Sequence, residues 1–178
     1  MNLKYSETFY SPQGEGAYVG IPSLWIRFFL CNLQCNGFGQ DEPTKPDTWE
    51  LPYETIDISE IKVVEELPVF DKGCDSSYTW AKKYKHLITD RTVEEAVDEL
   101  TALLPTSTFI HAKTGQAADM VFTGGEPMLK QAQLSMVAIM REFAKRGDCP
   151  ARVTVETNGT KAIHADLIEL IDDMHFSE

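Results

Sequence analysis

Leu30-Cys31-Asn32-Leu33-Gln34-Cys35, answered further along by Gly73-Cys74-Asp75-Ser76-Ser77-Tyr78-Thr79-Trp80, decides how this chain of 178 residues is read. Cys31 and Cys35 close the apolar run Pro-Ser-Leu-Trp-Ile-Arg-Phe-Phe-Leu at 22–30, which reads as a buried strand. Thiolates are the ligands that iron–sulfur clusters take. We read Cys31, Cys35 and Cys74 as one ligand set for one cluster, with a long insert between the second and third thiol. Three protein thiolates leave one iron of a four-iron cluster open to bind something else. For any single Cys, the competing reading is a small buried hydrophobe.

Composition bounds the rest. The length suits one domain, 1–178, with a real core, and the apolar fraction of 43 % is that of a globular protein. No apolar run is long enough for a membrane span. The N-terminus lacks a basic segment followed by an apolar one, so no signal peptide and a cytoplasmic location are expected. Four Cys in such a chain point to metal or catalytic use in a reducing compartment, not to disulfides. Residues 36–73 hold ten acidic and three basic side chains and four of the nine prolines, so most of the net charge of −12 sits in the insert. That balance argues against a nucleic-acid surface, which needs a basic footprint. The insert itself reads as a solvated, mobile acidic excursion. Its stretches at 56–58 and 61–67 are ambiguous between short strands and a helical turn.

Outward from the thiols, residues 6–22 form a Gly-rich loop around Gln13-Gly14-Glu15-Gly16. Here glycines permit close backbone approach or positive φ, although an ordinary turn is the alternative. Arg27 lies inside the apolar strand and needs a partner there. Glu15 or another carboxylate would serve, and so would a carboxylate ligand gripped by the planar fork. Tyr78–Leu87 reads as a short helix. Residues 91–104 form an amphipathic helix with Val93, Ala96, Val97, Leu100 and Leu104 inward, opened by a Thr92/Glu95 capping box. Asp119-Met-Val-Phe-Thr123 is a strand that runs into Gly124-Gly125-Glu126-Pro127. The two glycines are expected to turn backbone amides toward a ligand. Gln131–Arg146 is the next helix, 152–157 the next strand, ending in Glu156-Thr157-Asn158-Gly159, and 162–174 the last helix. Strand and helix alternate three times, which predicts parallel strands with crossover helices. The unusual residues then fall at the carboxyl ends of strands, where α/β sites sit.

Taken together, Cys31-Asn-Leu-Gln-Cys35 and Cys74-Asp-Ser-Ser-Tyr-Thr-Trp80 resemble a radical S-adenosylmethionine (SAM) motif cut in two. The resemblance is to the 7-carboxy-7-deazaguanine synthases of the queuosine pathway. It implies an incomplete, TIM-barrel-like α/β fold with a 4Fe–4S cluster, SAM and Mg²⁺ as cofactors. It implies a pterin substrate, met by Pro12, Gln13, Gly14, Glu15 and Thr123 and held through its carboxylate by Arg27. Gly125 and Glu126 are implied to meet the methionine amino group of SAM, with Glu156 and Asn158 packed beneath it. Gly73 stands where the superfamily often places an aromatic ring, and Asp75 joins it in the SAM set. Ser76 stands where the family has a magnesium-binding Thr. No separate catalytic side chain is assigned. An electron donor such as flavodoxin or ferredoxin and a homodimer are also implied. The family's next strand and a Ser-Pro-Lys segment have no counterpart in this sequence. Two other readings compete: an activase that installs a glycyl radical on a partner protein, and a zinc module built from the three Cys with His86 or Cys149.

Overall fold

The structure is a computed structural model and describes residues 1–173. Met174, which the reading above places at the end of the last helix, lies outside them. Five strands form one open sheet in the order β3-β1-β2-β4-β5. They are β1 (Asn2–Pro12), β2 (Pro22–Phe28), β3 (Thr89–Thr92), β4 (Asp119–Gly124) and β5 (Val153–Val155). Strands β2, β4 and β5 are parallel neighbours, and β1 runs antiparallel to both β2 and β3. The expected alternation of strand and crossover helix is therefore present, in the open α/β sheet that an incomplete barrel requires. Strands β1 and β3 were not expected, and they add an antiparallel edge.

Four α-helices accompany the sheet: α1 (Pro52–Thr55), α2 (Val93–Leu103), α3 (Lys130–Arg146) and α4 (Ala165–Asp173). The capping box of α2 is formed: Glu95 N–H donates to Thr92 Oγ1 at 3.2 Å, and Thr92 N–H to the Glu95 carboxylate at 2.9 Å. Helix α3 ends on Gly147 in the left-handed region at φ 73°, the usual way to close a helix. The main core lies on one face of the sheet. Leu24, Ile26 and Phe28 of β2 and Met120 and Phe122 of β4 meet Val97 and Leu100, Met136, Ile139, Met140 and Phe143, and Leu167 and Leu170 of the helices. Side chains alternate across a strand, so Trp25, Arg27, Val121 and Thr123 point to the other face. That face carries the polar residues.

Strand β1 changes sides part-way. Leu3 and Tyr5 belong to the helix-side core, but the register against β2 shifts between Tyr5 and Glu7. Beyond this bulge the parity reverses. Thr8 now faces the helices and donates to Glu99 at 2.6 Å, while Phe9 stacks on Trp25 on the other face. Bulges commonly re-aim side chains in this way. Here the side chain re-aimed is Glu7.

The insert does not behave as a loose excursion. Tyr53, Ile58, Val64 and Phe70 bury their side chains with Ala81, Tyr84 and Leu87 in a second, smaller core. Instead of strands the insert uses helix α1 and the 3-10 turns Pro46–Thr48 and Val64–Glu66. Its apolar residues recur too irregularly for a periodic element, yet they suffice to bury one another. The predicted short helix at 78–87 is also two 3-10 turns, Ser77–Thr79 and Lys82–Leu87.

Candidate functional site

The insert begins and ends at the same place. Gly73 N–H donates to Phe38 O at 2.8 Å, and a Cβ on Gly39 would lie 2.2 Å from Asp71 O. Only glycine allows that approach, and at φ 66° only glycine adopts it freely. Within the first part of the insert the Gln40 amide donates to Asn36 O at 3.0 Å and Glu50 O at 2.7 Å, and Lys72 from the returning side donates to the Glu50 carboxylate at 2.6 Å. The neck returns Cys74 to the neighbourhood of Cys31 and Cys35. The thiols are close enough that Cys35 feels both others and Cys74 feels Cys31. Burial, then the neighbouring thiols, pushes the Cys35 thiol above its ordinary value. Burial does the same for Cys74, although hydrogen bonds from Trp80 and Ser76 work the other way.

N–H donors point at these sulfurs. Leu33 N–H lies 3.4 Å from Cys31 Sγ, and the Trp80 indole N–H lies 3.4 Å from Cys74 Sγ. Two residues of the Cys31 loop hold positive φ without being glycine, Leu30 at 83° and Cys35 at 52°. Such conformations persist only where surroundings over-determine them. Leu30 is fixed on both sides, its N–H to Thr79 O at 2.7 Å and its carbonyl accepting from Glu126 N–H at 2.9 Å.

The Gly124-Gly125 pair serves that loop. The amides of Gly125 and Glu126 are not turned toward a ligand as expected; they donate to Phe28 O at 3.2 Å and Leu30 O at 2.9 Å. A Cβ on Gly125 would fall 2.3 Å from Leu30 O and 2.9 Å from Cys31 Cβ. The glycines are needed because the Cys31 loop packs directly on the turn. Glu126 is fully buried. Its carboxylate accepts from Met128 N–H at 2.8 Å, Thr157 Oγ1–H at 2.6 Å and Asn158 N–H at 2.8 Å. It thus ties the end of β4 to the end of β5. Asn158 in turn donates its side-chain amide to Asn32 Oδ1 at 3.3 Å, beside Cys31. The Glu156 carboxylate accepts from buried Gln13 at 3.3 Å.

Arg27 has the partner that burial demands, but it is Glu7 and not Glu15. Arg27 Nε–H donates to Glu7 Oε1 at 2.6 Å, and the same oxygen accepts from Tyr78 O–H at 2.6 Å. Arg27 Nη1 reaches Ser76 Oγ at 3.4 Å, and Ser76 donates to Asp75 Oδ1 at 2.9 Å. Burial works to lower the Arg27 pKa, but the neighbouring Tyr78 and the charge and hydrogen bond of Glu7 outweigh it and hold it up. Burial raises the Tyr78 phenol. Among the described residues the Nη2 edge of Arg27 donates to no side chain or carbonyl. Thr123, also buried, sits opposite Arg27 in the β2–β4 register. Glu15 is exposed and does not pair with Arg27; its N–H donates to Gln13 Oε1 at 3.1 Å. Pro12 and Gly14 are also exposed. Glu7 and Tyr78 were missed by sequence reading. The hint for Tyr78 was its place four residues after Cys74; the bulge hid Glu7.

Among the described residues, no three His, Cys, Asp or Glu side chains are grouped to hold a single metal ion. A zinc module needs such a group. His86 instead faces two carbonyl oxygens, of Lys83 at 3.1 Å and Ile61 at 3.2 Å, and exposed Cys149 follows α3. An iron–sulfur cluster asks for something different, since it spreads its thiolates over separate irons. Three neighbouring thiols with N–H donors fit that demand. For Mg²⁺ the described residues offer Asp75 and Ser76, with the Arg27 guanidinium close by. Such an ion would have to arrive with an anionic ligand between it and Arg27.

Metal ligation must displace protons from the raised Cys35 and Cys74 thiols. Cluster loading is therefore expected to become faster and more complete as pH rises from about 7 to about 9 at fixed iron and sulfide. Visible absorbance during anaerobic reconstitution measures this, and a pH-independent course contradicts it.

No protein-family model matches the chain. Curated proteins do. A 7-carboxy-7-deazaguanine synthase of Halobacterium salinarum is 28 % identical over 165 residues, 92 % of this chain and 41 % of that protein. One of Thermoplasma acidophilum is 26 % identical over 158 residues, 89 % of this chain and 47 % of that protein. One of Bacteroides thetaiotaomicron is 53 % identical over 36 residues, 20 % of each chain. The chain spans under half the length of the first two. The crystal structure of QueE from Escherichia coli superposes with a TM-score of 0.47 at 19 % identity, over 92 % of this chain and 56 % of that one, a likeness too loose to fix the fold. In sequence the chain resembles 7-carboxy-7-deazaguanine synthases over most of its length.

Proposed function

From that likeness and the site, we propose that the chain is a radical SAM enzyme of the 7-carboxy-7-deazaguanine synthase type. Cys31, Cys35 and Cys74 would hold a 4Fe–4S cluster whose open iron takes SAM. The cluster would supply the one-electron reduction that cleaves SAM. The substrate would be 6-carboxy-5,6,7,8-tetrahydropterin, contracted to 7-carboxy-7-deazaguanine with loss of ammonia. The observation that carries this reading is the meeting of two sets of residues. Cys74 is two residues from Ser76, and Ser76 Oγ lies 3.4 Å from Arg27 Nη1, so the thiols and a partly buried guanidinium with a spare edge lie side by side.

The chain's own work is binding and exclusion. Arg27, held by Glu7, would present Nη2 to the substrate carboxylate, and the fixed fork would orient the ring over Thr123. Pro12, Gln13, Gly14 and Glu15 belong to the loop between β1 and β2, which would cover the substrate. That loop is anchored by Gln13 on Glu156 and by Tyr18, whose ring lies 3.7 Å from the Arg152 guanidinium. The segments 125–126, 156–158 and Gly73–Asp75 surround the thiols and would line the SAM side. Any Mg²⁺ would bind Ser76 together with the substrate carboxylate. An electron donor such as flavodoxin or ferredoxin, and a homodimer, complete the proposal. Arg27 also favours a small carboxylated substrate over the protein substrate of an activase.

The test is anaerobic turnover of the carboxypterin with SAM and a reductant. Arg27→Lys keeps the charge but loses the fork, and kcat/KM is expected to fall roughly tenfold or more. Unchanged turnover in Arg27→Lys, or no turnover by the unaltered loaded protein, contradicts the assignment.

A further inference from the structure

We propose that Trp80 is a positioning residue for the cluster, setting its reduction potential through an N–H···S hydrogen bond to Cys74, and that the insert exists in part to hold that indole in place. This rests on the cluster reading above. The Trp80 Nε1–H lies 3.4 Å from Cys74 Sγ. Trp80 follows the turn Ser77–Thr79, with its backbone N–H on Ser77 O at 3.1 Å. Thr79 O in the same turn accepts from Leu30 N–H at 2.7 Å, so the turn also fixes the approach to Cys31.

The other side of the indole is braced by the insert. The Tyr53 ring meets it edge-on, with centroids 5.4 Å apart and planes at 70°. Tyr53 is itself buried in the insert's core, and its hydroxyl donates to Asn36 Oδ1 at 3.0 Å, one residue from Cys35. Trp80 and Gln34 then line a recess of about 380 Å³ with Tyr53, Lys82 and Lys83. Half-buried Trp80 thus lies against one side of the partly buried Cys74.

The physical consequence has a definite sign. A donor on a ligating thiolate stabilises the more negative, reduced cluster more than the oxidised one. Hydrogen bonds to sulfur and solvent exposure are two of the levers that set such potentials. Without the indole N–H, the reduced state loses that support and the potential becomes more negative.

Trp80→Phe removes the N–H and keeps an aromatic ring against Tyr53. The variant is expected to load the same iron and sulfide as the unaltered chain. At a fixed solution poise its oxidised-to-reduced ratio is expected to rise about threefold, which is ~30 mV for a one-electron couple at 59 mV per tenfold. A midpoint that does not move overturns the proposal. Should the variant fail to hold a cluster, the unaltered protein decides. With ¹⁵N-indole-labelled tryptophan, pulsed electron paramagnetic resonance of the reduced cluster is expected to show a coupled nitrogen, because Trp25 and Trp49 make no hydrogen bond to a thiol. Absence of that coupling overturns the proposal equally. An unaltered chain that binds no iron–sulfur cluster overturns the functional reading and this inference with it, whereas a loaded cluster indifferent to Trp80 overturns this inference alone.

Discussion

Replacing Cys74 with alanine is expected to abolish iron–sulfur loading as completely as replacing Cys31, although the whole insert lies between them in sequence. The reason is the closed neck. Gly73 N–H on Phe38 O, Gly39 against Asp71 O and Lys72 on the Glu50 carboxylate make residues 36–73 a loop whose ends coincide. Closing a long loop costs little more than closing a short one, about 0.6 kcal/mol per doubling. Here part of that cost is already offset by the insert's own core before any metal binds. Cys74 is thereby returned to the neighbourhood of Cys31 and Cys35, and all three thiols are expected to be needed for the cluster. Cys149→Ala serves as the control and is expected to load normally. Iron content and visible spectra after anaerobic reconstitution measure all three variants. A cluster retained in Cys74→Ala shows that the split motif is not one site.

Glu126→Ala is expected to cost stability first and cluster retention as a result. The carboxylate is buried and accepts three hydrogen bonds from β4's turn and from the end of β5. Hydrogen bonds to a charged group are each worth about 1.5–3 kcal/mol, and the donors left behind would be stranded. The contributions do not add fully, so a loss of about 3–5 kcal/mol is expected. For a chain of this size that lowers Tm by roughly 10 °C, measured by calorimetry on the unloaded protein. Glu126→Gln keeps one acceptor oxygen and should fall between the two. Because Asn158 hangs from Glu126 and reaches Asn32, the alanine variant should also lose iron faster under a chelator. An unchanged Tm would mean that Glu126 faces a ligand, as the sequence alone suggested, and does not clamp the two strands.

Much of this was legible in the chain. The run Leu24–Phe28 and the run Met120–Thr123 are apolar on both faces, as central parallel strands are, and α2 and α3 carry clear helical periodicity. The capping box at Thr92 needed only two residues to be seen. Strand β1 was not legible because its alternation breaks at Ser6: Leu3 and Tyr5 face the helices, and then Thr8 and Tyr10 do. Read with one parity, the stretch looks like a polar loop. The same break concealed Glu7, so the partner of Arg27 was sought at Glu15, which the Gly-rich motif made conspicuous. Strand β3 is short and polar and owes its form to pairing with β1. The insert's core was hidden by its charge, because the four apolar side chains that it buries, at 53, 58, 64 and 70, follow neither a helical nor a strand period. The roles of Gly124 and Gly125 were misplaced for a different reason: a sequence shows that side chains are missing but not which backbone has moved into the space.

Iron and acid-labile sulfide per chain, determined together with the visible spectrum of unaltered protein prepared without oxygen, test the whole account most directly. We predict about four irons and about four sulfides in one site, with the broad thiolate-to-iron absorption of such clusters. Protein that holds zinc in stoichiometric amount, or takes up no iron under any reconstitution, would contradict it.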